Sequence, residues 1–178
     1  TYDMLVGSPD GSPGARAAEV IVGTGVENLS IIPATLNLAG ADMALSSAIA
    51  RERRLRQALE PIVADFDLVF IDTPPSLGIL SVNALVASDF VVIPIQCEYY
   101  ALEGVSQLLN VVGIAQAQLN PDLRVAGAVL TMYDSRTNLS EAIAADVRAG
   151  FEHRVYSTVI PRNVQLAEAP SYGQPIAI

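Results

Sequence analysis

Four short, almost uninterrupted apolar runs punctuate the chain: Leu68–Ile71, Phe90–Ile93, Val125–Met132 and Val155–Ile160. The first three are each followed by a segment of helical character. Runs of this kind read as strands buried on both faces, and parallel sheets are where both faces are buried. The intervening helices are legible from spacing. Across 99–119, Leu102, Val105, Leu109, Val112 and Leu119 recur at three- and four-residue steps before Asn120-Pro121 stops the pattern. At 138–149, Asn138 with Glu141 three residues on reads as a capping box ahead of Ile143 and Val147. Strand–helix–strand repetition at this spacing implies right-handed crossovers and an α/β fold, a doubly wound, mostly parallel sheet with helices on both faces. In such sheets ligands sit at the carboxyl ends of the strands, so the chemistry is expected there.

Composition narrows that chemistry. All ten basic residues are arginine, so mechanisms that need a lysine are excluded from these 178 residues. Nineteen acidic side chains leave a net charge of −9, which opposes a general electrostatic grip on nucleic acid and requires any such contact to be local. One cysteine, Cys97, and one histidine, His153, cannot build a zinc cluster or a disulfide framework. Cys97 reads as a small packed side chain and His153 as a surface residue. No apolar run approaches the ~18 residues of a membrane-spanning helix, and no secretory segment opens the chain, so a reducing cytoplasm is expected. The sequence opens at Thr1 without an initiator Met and stops in Pro175–Ile178, which suggests a partial sequence of a single α/β domain, with a loop-rich part at 1–27 and the core at 28–178.

Within 1–27, SPDGSPG at 8–14 predicts a turn or loop, and a short helix is expected near Tyr2–Val6. Leu29–Pro33 reads as a short strand stopped by proline. A long helical stretch follows at 36–64, broken near Ser46. Its second half places Leu55, Ala58, Leu59 and Ile62 on one face, while the arginines of RERRLR at 51–56 lie on the other. That run admits a nucleic-acid reading, with a solvated helix face as the plainer one.

The strand ends carry the candidate residues. The first buried run ends in Asp72-Thr73-Pro74-Pro75-Ser76. A carboxylate directly after four large apolar residues needs a partner, because burying it unpaired is costly. In nucleotide hydrolases an Asp in this position faces Mg²⁺, directly or through water. Thr73, Pro74 and Pro75 remove backbone donors and stiffen the exit, which suits a switch that senses a terminal phosphate. A helix-capping Asp followed by a turn is the structural alternative. The second run leads into Pro94–Gly104, a polar and aromatic patch in which Gln96, Glu98 and Tyr99 are the expected dimer face. Tyr99 and Tyr100 are equally readable as sheet cover. The third run ends in TMYDSRTN at 131–138, and the last in Ile160-Pro161-Arg162-Asn163.

These stretches, FDLVFIDTPPSLGILSVNALVASDFVVIPIQCEYYALEG, LTMYDSRTNLS and VIPRNVQLAEAPSYGQPI, resemble the ParA/Soj family of chromosome- and plasmid-partition ATPases, deviant-Walker P-loop proteins related to MinD. The likeness runs from about Val26 to the end, with several motifs in order. It implies a P-loop NTPase-like fold whose members bind ATP and Mg²⁺, form a nucleotide-sandwich homodimer, bind DNA without sequence preference and hydrolyse ATP slowly until a ParB partner accelerates them. Carried over, Asp72 matches the Walker B aspartate that holds the Mg²⁺ hydration shell, and so the catalytic position. Thr73, Pro74 and Pro75 match the switch. Met132 and Pro161 fall in segments that flank the adenine. Arg136 and Arg162 lie where the family's basic residues contact DNA, with a carboxylate partner or helix-end contact as the structural alternative for each. The family's first strand, its KGGVGKT-type loop and both Walker lysines are not in this sequence, so the chain by itself is expected to be inactive. A nucleoid-associated cytoplasmic location follows from the resemblance. A non-catalytic interaction module is the alternative, as is a MinD-like membrane ATPase, which the lack of a basic amphipathic helix near residue 178 disfavours. No stable membrane anchor is expected.

Overall fold

The computed structural model describes residues 1–7, 14–99, 103–173 and 175–176. The loop expected at 8–14, apart from Gly14, and the positions of Tyr100 and Leu102 lie outside the described residues. The chain forms two compact units, Thr1–Asp89 with Val111–Leu123, and Phe90–Asn110 with Arg124–Ile178.

The second unit holds the parallel sheet. Strand β3 (Phe90–Gln96) pairs with β4 (Arg124–Tyr133), and β4 with β5 (Val155–Pro161), in the order β3-β4-β5. Before reaching the sheet the chain passes through α1 (Tyr2–Val6), α2 (Ala17–Val20), β1 (Val22–Gly23), β2 (Ser30–Ile31), α3 (Ala41–Leu45), α4 (Arg54–Leu59) and α5 (Ile79–Ala87). Helix α6 (Glu103–Gln118) connects β3 to β4, α7 (Asn138–Gly150) connects β4 to β5, and α8 (Val164–Glu168) follows. Apolar side chains of both connecting helices, Val105 and Leu109 from α6 and Ala144 and Val147 from α7, join Ile93, Ile95 and Leu130 in one core. Leu130 and Val147 are completely buried.

Among the described residues only β4 has a strand on each side. The expectation of strands buried on both faces fails for β3, where Ile93 and Ile95 are 2% exposed but the alternating Phe90 and Val92 are 62% and 50% exposed. An edge strand covered by helices on one face leaves its other face open. In β4, Gly127 has φ +145, and a Cβ there would stand 2.5 Å from the Arg154 carbonyl oxygen. That oxygen accepts a hydrogen bond from the Ala128 N–H at 2.8 Å. Gly127 thus marks the register shift of the β3–β4 ladder, where Val91 pairs with Val125 but Val92 with Gly127.

In the first unit, α1 and α2 supply Met4, Leu5 and Ala17 to a core completed by Leu38, Leu55, Ala58, Ile62 and Leu80. The predicted face of the 51–62 segment is therefore the buried one. The predicted long helix is shorter and more broken. A 3₁₀ turn at Leu36–Gly40 precedes α3, and a second at Arg51–Arg53 leads into α4, after Ala50 takes a left-handed φ of 51°. The expected strand at 29–33 contracts to β2, antiparallel to β1, and Thr24 Oγ1 closes their turn on the Leu29 carbonyl at 2.9 Å.

The largest departure concerns Leu68–Ile71, which is not a strand. Among the described residues it has no ladder partner, and Leu68 and Phe70 are 75% and 87% exposed. Apolar composition alone does not make a strand. The backbone groups need a neighbour to bond, and without one the run stays irregular. No helix among the described residues is long and apolar enough to cross a membrane.

Candidate functional site at the strand ends

The carboxyl ends of β3, β4 and β5 lie side by side because the strands are parallel and in register at Gln96–Thr131 and Tyr133–Pro161. Backbone bonds tie these ends together beyond the ladders. The Cys97 N–H donates to the Thr131 carbonyl at 2.9 Å, and the Arg162 N–H donates to the Tyr133 carbonyl at 2.9 Å. Met132 sits between those two anchor points with φ 54°, left-handed for a non-glycine residue. Such a conformation persists only where its surroundings hold it, and it clusters at ligand sites. Met132 is half-buried and Pro161 exposed, so the two positions expected to flank a base share one end of the sheet.

Charge at this edge is organised in two ion pairs. Arg136 closes on Asp134 through two guanidinium contacts of 2.9 and 2.8 Å, and its backbone N–H adds a third bond to the same carboxylate. Those bonds, with the field of Arg162, hold the Asp134 carboxyl at about 2. Arg162 reaches across the sheet end to Glu98 at 2.5 Å, both side chains being half exposed. Both arginines therefore have the carboxylate partners that the sequence allowed as an alternative to DNA contact. The half-exposed Arg162–Glu98 pair is screened by water, so an incoming phosphate can displace the Glu98 carboxylate at little cost. Arg136→Gln is expected to raise the Asp134 titration from about 2 toward the ordinary 3.8, read by carboxyl-carbon NMR. The sign follows from the depressed value. The pair stabilises the folded state above the ordinary carboxylate range and loses that contribution as pH falls toward 2.

Helix α7 begins one residue earlier than the capping-box reading required. Thr137 is the N-cap, and its Oγ1 accepts from the Ser140 N–H at 3.4 Å. Ser140 is buried and donates to the Cys97 carbonyl at 3.5 Å, linking α7 to the exit of β3. Cys97 itself is buried, and burial pushes its thiol up, which fits a packed side chain. A groove of about 500 Å³ lies between β3 and the start of α6, lined in part by Pro94, Gln96, Glu98, Tyr99 and Leu108. The three residues expected at a dimer face thus share one concave surface.

Asp72 lies in the first unit, exposed, and among the described residues it has no hydrogen-bond or ion-pair partner. It is neither a helix cap nor locked in a private contact, since α5 starts at Ile79 with Gly78 as its N-cap. Thr73, Pro74 and Pro75 are likewise exposed. The segment after Pro75 is tied to α5 through Ser81, whose hydroxyl bonds the Ser76 carbonyl. No group of three or more His, Cys, Asp or Glu side chains that could hold a metal occurs among the described residues. A lone exposed carboxylate fits the outer sphere of a hydrated cation whose other ligands are phosphate oxygens and water.

Sequence reasoning missed two buried asparagines. Asn83, fully buried on α5, donates Nδ2 to the Arg51 and Ile79 carbonyls at 2.8 and 2.9 Å and accepts from the Leu55 N–H at 3.0 Å. Asn120 donates to the Leu85, Val86 and Ser88 carbonyls at 3.0, 3.3 and 2.7 Å, satisfying the carboxyl end of α5. The available signal was a polar residue inside the apolar helical run ILSVNALVA.

With this geometry in view, comparison with known proteins is specific. The family profile described as an AAA domain matches residues 13–125. The sporulation initiation inhibitor protein Soj of Bacillus subtilis is 54% identical over 177 residues, covering 99% of this chain and 68% of that protein. The chromosome partitioning protein ParA of Caulobacter vibrioides is 46% identical over 179 residues, covering 99% of this chain and 65% of its own length. ParA of Myxococcus xanthus is 48% identical over 160 residues, or 90% of this chain and 56% of that protein. The chain thus spans roughly three-fifths of the length of these relatives. Among solved structures, cobyrinic acid a,c-diamide synthase from Mycobacterium smegmatis with bound ADP and magnesium superposes with a TM-score of 0.82 at 35% identity, over 97% of this chain and 73% of that one.

Proposed function

Because the chain belongs to the ParA/Soj family of chromosome-partitioning ATPases, we propose that the complete protein is a cytoplasmic, nucleoid-associated ATPase that dimerises on binding ATP and Mg²⁺, grips DNA without sequence preference and responds to a ParB-type activator. The observation that carries this reading is the 54% identity to Soj maintained over 99% of the chain. The geometry supports it at two places. An exposed Asp72 offers one carboxylate to a hydrated Mg²⁺, which when bound neutralises phosphate oxygens. Met132 and Pro161 flank a nucleotide base at the end of the sheet.

A single carboxylate does not cradle a triphosphate, and these 178 residues include no lysine. On this reading the phosphate grip comes from the rest of the complete protein, and the 178-residue chain by itself turns over no ATP. Gln96, Glu98 and Tyr99 meet the second subunit along the β3 groove. Arg136 and Arg162 contact DNA phosphates after exchanging Asp134 and Glu98 for them.

The testing experiment reverses both arginines in the complete protein. Arg136→Glu with Arg162→Glu is expected to weaken ATP-dependent DNA retention at least tenfold at low salt, because each lost phosphate contact removes part of the counterion-release term. ATP-dependent dimerisation, followed by light scattering, should persist. Unaltered DNA retention would return both arginines to a purely structural role.

A further inference from the structure

The first unit carries a second concentration of positive charge that the strand-end site does not use. RERRLR at 51–56 holds four of the ten arginines with one glutamate, a net +3 in a chain of −9. The four side chains are not equivalent. Arg51 is spoken for, paired with Glu52 at 3.0 Å and donating to the Ser46 carbonyl at 2.6 Å. Arg54 leans on the Ile49 carbonyl at 3.5 Å, and its Nε is buried with no acceptor among the described residues. Arg53 and Arg56 are exposed and, among the described residues, have neither an ion pair nor a hydrogen bond.

We infer that Arg53 and Arg56 form a second contact for the phosphates of duplex DNA, on a turn whose backbone is held in place by Asn83. The inference rests on the DNA-binding reading above and adds a surface to it. Three observations favour it over a merely solvated face. Solvated faces usually pair their cations with acids at helical spacing, but α4 has no acidic residue in its first turn, Glu52 is already taken by Arg51, and Glu60, four residues beyond Arg56, is exposed and makes no ion pair with it among the described residues. Arg53 and Arg56 are three residues apart, so their like charges stand on one side of the turn and repel until an anion sits between them. The backbone that presents them is fixed, because Asn83 bonds the Arg51 carbonyl and the Leu55 N–H from inside the unit. Fixing the presenting backbone lowers the ordering cost of binding. In an acidic chain, attraction to a polyanion comes from such local clusters rather than from net charge. An anionic lipid surface fits less well. A membrane-docking helix needs an apolar face to immerse beside its cations, and the apolar face of this segment, Leu55, Ala58 and Ile62, is already packed in the core.

The test measures anisotropy of a short mixed-sequence duplex against the complete protein with ATP and Mg²⁺ over a series of NaCl concentrations. Arg53→Gln with Arg56→Gln is expected to flatten the plot of log affinity against log salt by about 2 for each subunit that engages the duplex, since each phosphate contact contributes about 0.9. Arg53→Lys with Arg56→Lys should keep the original slope, and turnover of ATP without DNA should match the unsubstituted protein in both. An unchanged slope in the glutamine variant, while substitution of Arg136 and Arg162 flattens it, overturns this inference alone. So does equal flattening by the lysine variant, or loss of binding to phosphatidylglycerol vesicles with the duplex slope intact. Failure of the unsubstituted protein to retain duplex under any of these conditions overturns both this inference and the reading beneath it.

Discussion

Asp72→Ala in the complete protein is expected to lower ATP turnover to about 1% or less and to abolish ATP-dependent dimerisation. Phosphoryl transfer leaves little covalent chemistry to the protein, so catalysis consists of placing the nucleophile and stabilising charge on the moving phosphoryl group. Removing one preorganised electrostatic group from such a site costs about 10²–10³ in rate. Asp72→Asn separates shape from charge. It keeps the volume and one acceptor oxygen but loses the formal charge that holds a hydrated divalent cation, and it should fail nearly as badly as alanine. Because Asp72 is exposed and among the described residues has no internal partner, neither change should alter folding by more than about 0.5 kcal/mol. Phosphate release and light scattering then report on chemistry and assembly, not on loss of structure. Turnover at the unsubstituted level in Asp72→Ala would remove this carboxylate from the site.

What the sequence disclosed and what it hid divide along physical lines. Strands β3, β4 and β5 and helix α7 were readable within a few residues because their signals are local: apolar runs, periodic helices and the punctuation of Pro121 and Pro161. The strand-end location of Gln96, Met132 and Pro161 followed from parallel topology, whereas Asp72 to Pro75 follow a run that is not a strand. Leu68–Ile71 misled because strand formation depends on a neighbour's backbone, which no property of the four residues encodes. Strand β2 was legible within the 29–33 run, but its partner β1 was not, since a two-residue strand with exposed side chains carries no pattern. The Asp134–Arg136 pair could be suspected from a two-residue spacing. The Glu98–Arg162 pair joins residues 64 positions apart and emerges only once β5 lies beside β4. Asn83 and Asn120 were missed because a sequence shows a polar residue in an apolar run but not which distant carbonyls it serves.

Asn83 is where that hidden information carries the most stability. Its Oδ1 accepts the Leu55 N–H, one of the first-turn donors of α4 that have no partner within their own helix, so α5 caps α4 from outside. Its Nδ2 satisfies the Arg51 carbonyl, just ahead of that turn. Asn83→Ala leaves both backbone groups without a partner beside a fully buried position. Each buried polar group so stranded costs about 1–3 kcal/mol, giving an expected loss of about 3 kcal/mol. For a domain of this size that corresponds to a fall in Tm of about 6–12 °C, measurable by calorimetry and by the urea midpoint. Asn83→Leu identifies the cause. Leucine refills the volume without bonding either group, so it should be as destabilising as alanine if the hydrogen bonds matter. Recovery of most of the stability in the leucine variant would instead make the loss a cavity effect, and a shift below about 0.5 kcal/mol in both variants would mean that water reaches the Leu55 N–H and the Arg51 carbonyl once the amide is gone.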